Sequence, residues 1–185
     1  MKKIFISFLL IIAITITGCS TETPDDPNAK FIKGENGDWI FNFTAEEFVE
    51  KWTNDPFFKN TDFEVSSNES EICMIDREDN IYIIVFKDLK KSKASGFCVA
   101  VDYEMTANQF LFMLLDTVKI LGYLNDEDPF ADDVVYNQIH EAQNAVASHK
   151  EDKVSFFIGD YIYSVYSEDN KSISALILPG VDIKQ

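Results

Sequence analysis

Positive charge is scarce in this chain. Arginine occurs once, at Arg77, histidine twice, at His140 and His149, and 16 Lys and Arg stand against 32 Asp and Glu for a formal charge of −16. A field of that sign repels phosphate backbones, whose neutralisation supplies most non-specific nucleic-acid affinity, so nucleic acid is excluded as an expected partner. The densest basic stretch, KDLKKSK from Lys87 to Lys93, lies between two strand-like runs. It fits a solvated hairpin loop, with contact to anionic lipid or an acidic partner as the alternative.

Recognisable catalytic patterns are missing as well. There is no GxSxG elbow, no Walker loop and no dinucleotide glycine pattern. His140-Glu141 begins like a zinc-protease helix, but Asn144 stands where the second histidine of HExxH belongs. His149 is about 13 Å further along a helix, too far to share an ion with His140. The acidic stretch Asn125 to Asp133 lacks EF-hand spacing, and Asp132 or Asp133 suits a helix N-cap. No catalytic residue, metal ligand or cofactor is therefore assigned.

Long apolar runs are also few. At the N-terminus two lysines precede an apolar run from Ile4 to Ile16, followed by Ile16-Thr17-Gly18-Cys19. The run is short for a membrane span, which takes about 20 residues, and has the layout of a secretory signal. The last four residues resemble the lipobox of bacterial lipoproteins. That resemblance covers only the first twenty residues or so. It implies cleavage before Cys19, acylation of that cysteine by chains such as palmitate, and attachment to the cell membrane or outer membrane outside the cytoplasm. The partner it implies is the bilayer itself. A plain N-terminal anchor with an incidental cysteine is the rival reading. Without Lys2 and Lys3 the formal charge moves from −16 to −18.

The expected organisation is thus a signal over 1–18, lipidated Cys19 with a polar tether through 38, and one domain over 39–185. A domain of that size can bury a single core. Two cysteines remain in it, Cys73 and Cys98. A bridge between them would close a loop of about 25 residues and contribute roughly 3–4 kcal/mol. In a simple meander, however, they lie two strands apart, about 9–10 Å, beyond bridging distance. A disulfide and two buried thiols both stay open.

Two hexamers, FTAEEF at Phe43–Phe48 and MTANQF at Met105–Phe110, share a layout. Thr44 with Glu47 and Thr106 with Gln109 form capping boxes, while Phe43 with Phe48 and Met105 with Phe110 suit hydrophobic staples. They predict helices from Ala45 to about Thr53 and from Ala107 to Tyr123. A third helix follows from about Asp133 to His149, with Val135, Ile139, Ala142 and Val146 as its apolar stripe. Strands are expected near Phe63–Ser66, Glu71–Asp76, Ile81–Phe86, Ser95–Tyr103, Val154–Ile158, Tyr161–Ser167 and Ser172–Leu178. With no βαβ alternation, these elements indicate an α+β fold: an antiparallel sheet of about six or seven strands with three helices packed on one face. Recurrent helix starts explain the paired hexamers; a duplicated helix-plus-meander unit is the alternative.

The second helix is apolar over most of its circumference, which implies cover from the sheet and a neighbouring helix, or a face toward a partner. The aromatic run from Phe156 to Tyr166 places Tyr161 and Tyr163 on one side of a strand and Tyr166 on the other. Exposed, these tyrosines would form a binding surface for protein or glycan; ordinary cross-strand packing explains them equally well. The leading expectation is a lipid-anchored binding module without catalysis. An inhibitor or immunity-type envelope lipoprotein, steered by its acidity, and an envelope enzyme with a carboxylate site are the alternatives.

Overall fold

In the computed structural model the structure describes residues 26–58, 61–76, 80–102, 106–125, 133–168 and 172–180. It is α+β. A hairpin of β1 (Phe31–Lys33) and β2 (Trp39–Phe41) comes first, then α1 (Ala45–Thr53) and a single 3-10 turn at Pro56–Phe58. A meander follows: β3 (Phe63–Ser67), β4 (Glu71–Asp76), β5 (Ile81–Lys87) and β6 (Ala94–Asp102). Next come α2 (Ala107–Asn125) and α3 (Asp133–Ala147), and a second meander of β7 (Lys153–Ile158), β8 (Tyr161–Glu168) and β9 (Ser172–Pro179) closes the fold.

The two meanders run toward each other and meet at their last strands. The seven-stranded sheet has the order β3-β4-β5-β6-β9-β8-β7, antiparallel throughout, with Val99 opposite Ala175 at the junction. Alternation then decides which side chains meet the helices. Met74, Ile83, Val99, Ala175 and Val165 form one continuous row across five strands, each essentially inaccessible to solvent. Helices and hairpin all pack against that inner side: Phe48 of α1 and Phe41 of β2 lie 4.6 and 5.1 Å from the Phe97 ring, and α3 lies over β7 and β8.

Both helix caps form as the hexamers predict. The Glu47 N–H donates to Thr44 Oγ1 at 3.1 Å and the Thr44 N–H to Glu47 Oε2 at 2.6 Å. The Gln109 N–H donates to Thr106 Oγ1 at 3.2 Å and the Thr106 N–H to Gln109 Oε1 at 2.8 Å. Phe43 and Phe48 are held together through shared neighbours, both meeting the rings of Phe97 and Tyr123; Met105 lies outside the described residues. The helices so started are not equivalent in space, however. It is α3 that covers β7 and β8 as α1 covers β4 and β5, whereas α2 lies over β5 and β6. Equivalent caps therefore begin helices at unlike positions, as recurrent helix starts would.

Residues 26–38, assigned by composition to the tether, are part of the folded body. Ile32 is buried, Phe31 pairs with Phe41 across β1 and β2, and Asn42 Nδ2 donates to the carbonyls of Asp26, Pro27 and Ala29, which latches the incoming chain. At the far end of the chain, Gly159 with φ +57 opens a two-residue turn between Ile158 and Tyr161, as its position predicts.

Candidate docking surface

The tyrosines proposed for a binding face divide between the two sides of the sheet, and the structure withdraws two of them. Tyr161 and Tyr163 are fully buried on the inner side. The Tyr161 hydroxyl donates to the Leu124 carbonyl at 2.8 Å and to Asn125 Oδ1 at 3.1 Å, so it fastens the end of α2 to the sheet. Burial pushes the Tyr163 phenol well above its ordinary pKa, only partly offset by Gln143 beside it. Gln143 nonetheless lacks hydrogen-bonding geometry toward that hydroxyl, which is left unpaired. Alternation put these two on one side correctly. What it could not supply was which side the helices take. Tyr166 alone faces outward, half-buried.

The outward side of the sheet is where apolar surface remains. Among the described residues no helix lies over it. Register places three rows there. One runs Cys73, Ile84, Cys98, Leu176, Ser164 and Ser155; a second runs Ile75, Tyr82, Ala100, Ser174 and Tyr166; a third runs Phe86, Gly96, Leu178, Ile162 and Phe157. Gly96, Cys98 and Ala100 on β6 stand opposite Phe86, Ile84 and Tyr82 on β5; Ile84, Cys98 and Ser164 are buried, so the accessible apolar atoms on this side belong mainly to Ile75, Tyr82, Phe86, Leu176 and Phe157. At Gly96 there is no room for more: a Cβ would sit 2.6 Å from Leu178 Cδ2, because that leucine leans across the strand. Phe157 is 43 % exposed at the β7 edge. Hydroxyls of Ser155 and Ser164 pair with each other at 2.8 Å, and the same register sets exposed Glu64 and Ser66 of β3 beside Ile75 and Cys73 and exposed Lys153 of β7 beside Tyr166, a polar border at both edges.

Neither Cys73 nor Cys98 is in a disulfide, so the bridge left open by the sequence is not made. They sit on β4 and β6 with Ile84 of β5 between them, the two-strand separation that alternation suggested. Desolvation, aided by the nearby Glu71 carboxylate, pushes the Cys73 thiol up to about 11. A thiol so protonated at neutral pH is a poor nucleophile. Nor is a histidine at hand to activate it, because His140 lies on α3, across the sheet, between Phe110 and Tyr136. Among the described residues no group of three or more His, Cys, Asp or Glu could hold a metal ion, and no helix is long and apolar enough to cross a membrane. Most of the acidic stretch between α2 and α3, residues 126–132, lies outside the described residues.

A second concavity lies on the helix side. An open groove of about 710 Å³ runs between the incoming chain, β2 and the end of α2, with Lys30, Lys51, Phe43 and Tyr123 among its walls. Its one carboxylate is already engaged: the Thr44 N–H holds Glu47 below the usual carboxylate range against slight desolvation. Lys30 lies 4.6 Å above the Tyr161 ring and Lys51 5.3 Å above that of Tyr123. Among the described residues that line the groove, Glu47 is the single carboxylate.

No protein family, no characterised protein and no solved structure matches the chain.

Proposed function

We propose that this protein is a lipid-anchored, extracytoplasmic binding module that docks a partner protein through the open side of its sheet. The single observation carrying the docking is the apolar surface spread over β4, β5, β6, β9, β8 and β7 opposite the helices. Half-buried Ile, Leu, Phe and Tyr side chains of this kind resemble the apolar centre of an interface, where aromatic anchors supply most of the affinity. The anchoring rests on the residues before Cys19 that resemble a lipobox. Seven positions separate Cys19 from Asp26, where the chain is latched, and the hairpin that receives it lies on the helix side. The open side of the sheet is the side opposite that hairpin and would stay accessible to a partner. Strong acidity adds steering toward basic partners without defining the contact.

The test combines two variants. Cys19→Ala should lose palmitate labelling and membrane sedimentation. A triple variant, Tyr82→Ser, Phe157→Ser and Leu176→Ser, should keep its circular dichroism spectrum and membrane attachment yet lose any protein recovered with the parent from envelope extracts. A triple variant that recovers the same proteins as the parent removes the sheet surface from the proposal.

A further inference from the structure

The lysine-rich stretch Lys87–Lys93 turns out to be folded against the incoming chain. Asp88 organises it: its carboxylate accepts from the backbone N–H of Lys91 at 2.8 Å, of Lys90 at 3.2 Å and of Glu35 in the N-terminal hairpin at 3.0 Å. Burial opposes the charge on Asp88, but these three donors outweigh it and hold the carboxyl below its ordinary range. Lys93 Nζ donates to the Asn42 carbonyl at 3.3 Å, and Asn42 is the residue that latches Asp26, Pro27 and Ala29. At the tip of this tied-down loop stands Leu89, 68 % exposed, with Lys90 and Lys91 after it. An apolar tip flanked by lysines suits a bilayer surface, where the apolar group enters the headgroup boundary and the ammoniums meet anionic lipid.

We infer that Leu89, Lys90 and Lys91, together with Lys30 and Lys51 around the latched chain, seat the domain on an anionic phospholipid surface. The inference rests on the reading of Cys19 as a lipid anchor. Seven residues span at most about 25 Å, so the side bearing Asp26 is held beside the bilayer and its neighbours meet the lipid first. Lysines at the loop tip lie at the same side. Lys30, Lys51, Lys87, Lys90, Lys91 and Lys93 gather at this side, where Lys90 also meets Glu35, Lys87 meets Glu46 at 3.6 Å, and Asp26, Asp38, Glu71 and Asp160 lie nearby; the loop tip itself, Leu89-Lys90-Lys91, carries no carboxylate. Lys150 and Lys153 lie at the opposite ends of the strands and serve as internal controls.

The experiment holds the mature chain on vesicles by a histidine tag placed at position 19 on nickel-chelating lipid, which removes any dependence on acylation in the cell. Lysine acetylation is followed by mass spectrometry on phosphatidylcholine alone and on phosphatidylcholine mixed with phosphatidylglycerol. Lys90 and Lys91 are expected to react roughly fivefold more slowly on the anionic vesicles, with Lys150 and Lys153 unchanged and the protection lost at high salt. Leu89→Asp should weaken the protection without altering the melting temperature. Equal reactivity of Lys90 and Lys91 on both vesicles overturns the inference, and so does protection that arises only on adding an acidic envelope protein. The anchor reading fails separately, if Cys19 isolated from cells carries no acyl mass.

Discussion

His149 ends α3 in a conformation that glycine adopts more easily. Its φ is +56, its N–H donates to the Val146 carbonyl at 3.1 Å, and the Lys150 N–H reaches back to the Ala145 carbonyl at 3.0 Å, the paired bonds of a Schellman cap. His149→Gly is expected to raise stability by up to about 1 kcal/mol, and His149→Val, β-branched at a left-handed position, to lower it by about 1–2 kcal/mol; urea midpoints of the two variants measure this. The buried tyrosines give a second contrast. Tyr161→Phe should cost about 1 kcal/mol because it strips a bond from the Leu124 carbonyl. Tyr163→Phe removes a hydroxyl that has no partner and should be neutral or slightly stabilising. Equal losses in both variants would contradict the assigned bonding.

At the scale of elements, strands and helices announced themselves by period, and their sides did not. The alternation through Phe156–Tyr166 is plain in the sequence, yet Tyr161 became core only because Phe31, Phe41 and the end of α2 close over it, and Tyr163 because α3 brings Gln143 over β8. Such cover is a long-range packing outcome that local spacing does not encode. β1 and β2 were invisible for another reason: FIK and WIF are three residues each, set in a polar stretch rich in Asp, Asn and Gly, too short to show a period. The capping boxes were legible because every part of the signal lies within four residues. In β4 a measurable consequence follows from the outward side. The Cys73 thiol ionises near 11 when folded against an ordinary 9.0, so between those values the native state retains a proton the unfolded chain has released. Stability should therefore fall as pH rises from about 9 to about 11, and Cys73→Val should flatten that fall in a series of urea titrations. An unchanged slope in the variant would assign the pH dependence to other groups.

The whole molecule has two unlike sides. Helices and hairpin pack on one side of the sheet, the chain arrives there at Asp26, and the basic loop stands at one end of β5 and β6; among the described residues no helix covers the other side. Neither side alone indicates a role, because an apolar sheet surface without an orientation has no preferred partner and an anchor without a surface has nothing to present. Under the proposed lipidation of Cys19, the latched chain at Asp26 and the open side of the sheet would belong to one membrane-attached module. Photo-crosslinking in intact envelopes tests this most directly, with the reactive group at position 176 on the open side of the sheet and, separately, at position 89 in the basic loop. The account predicts protein adducts from position 176 and lipid adducts from position 89. Lipid adducts at 176 together with protein adducts at 89 would contradict it.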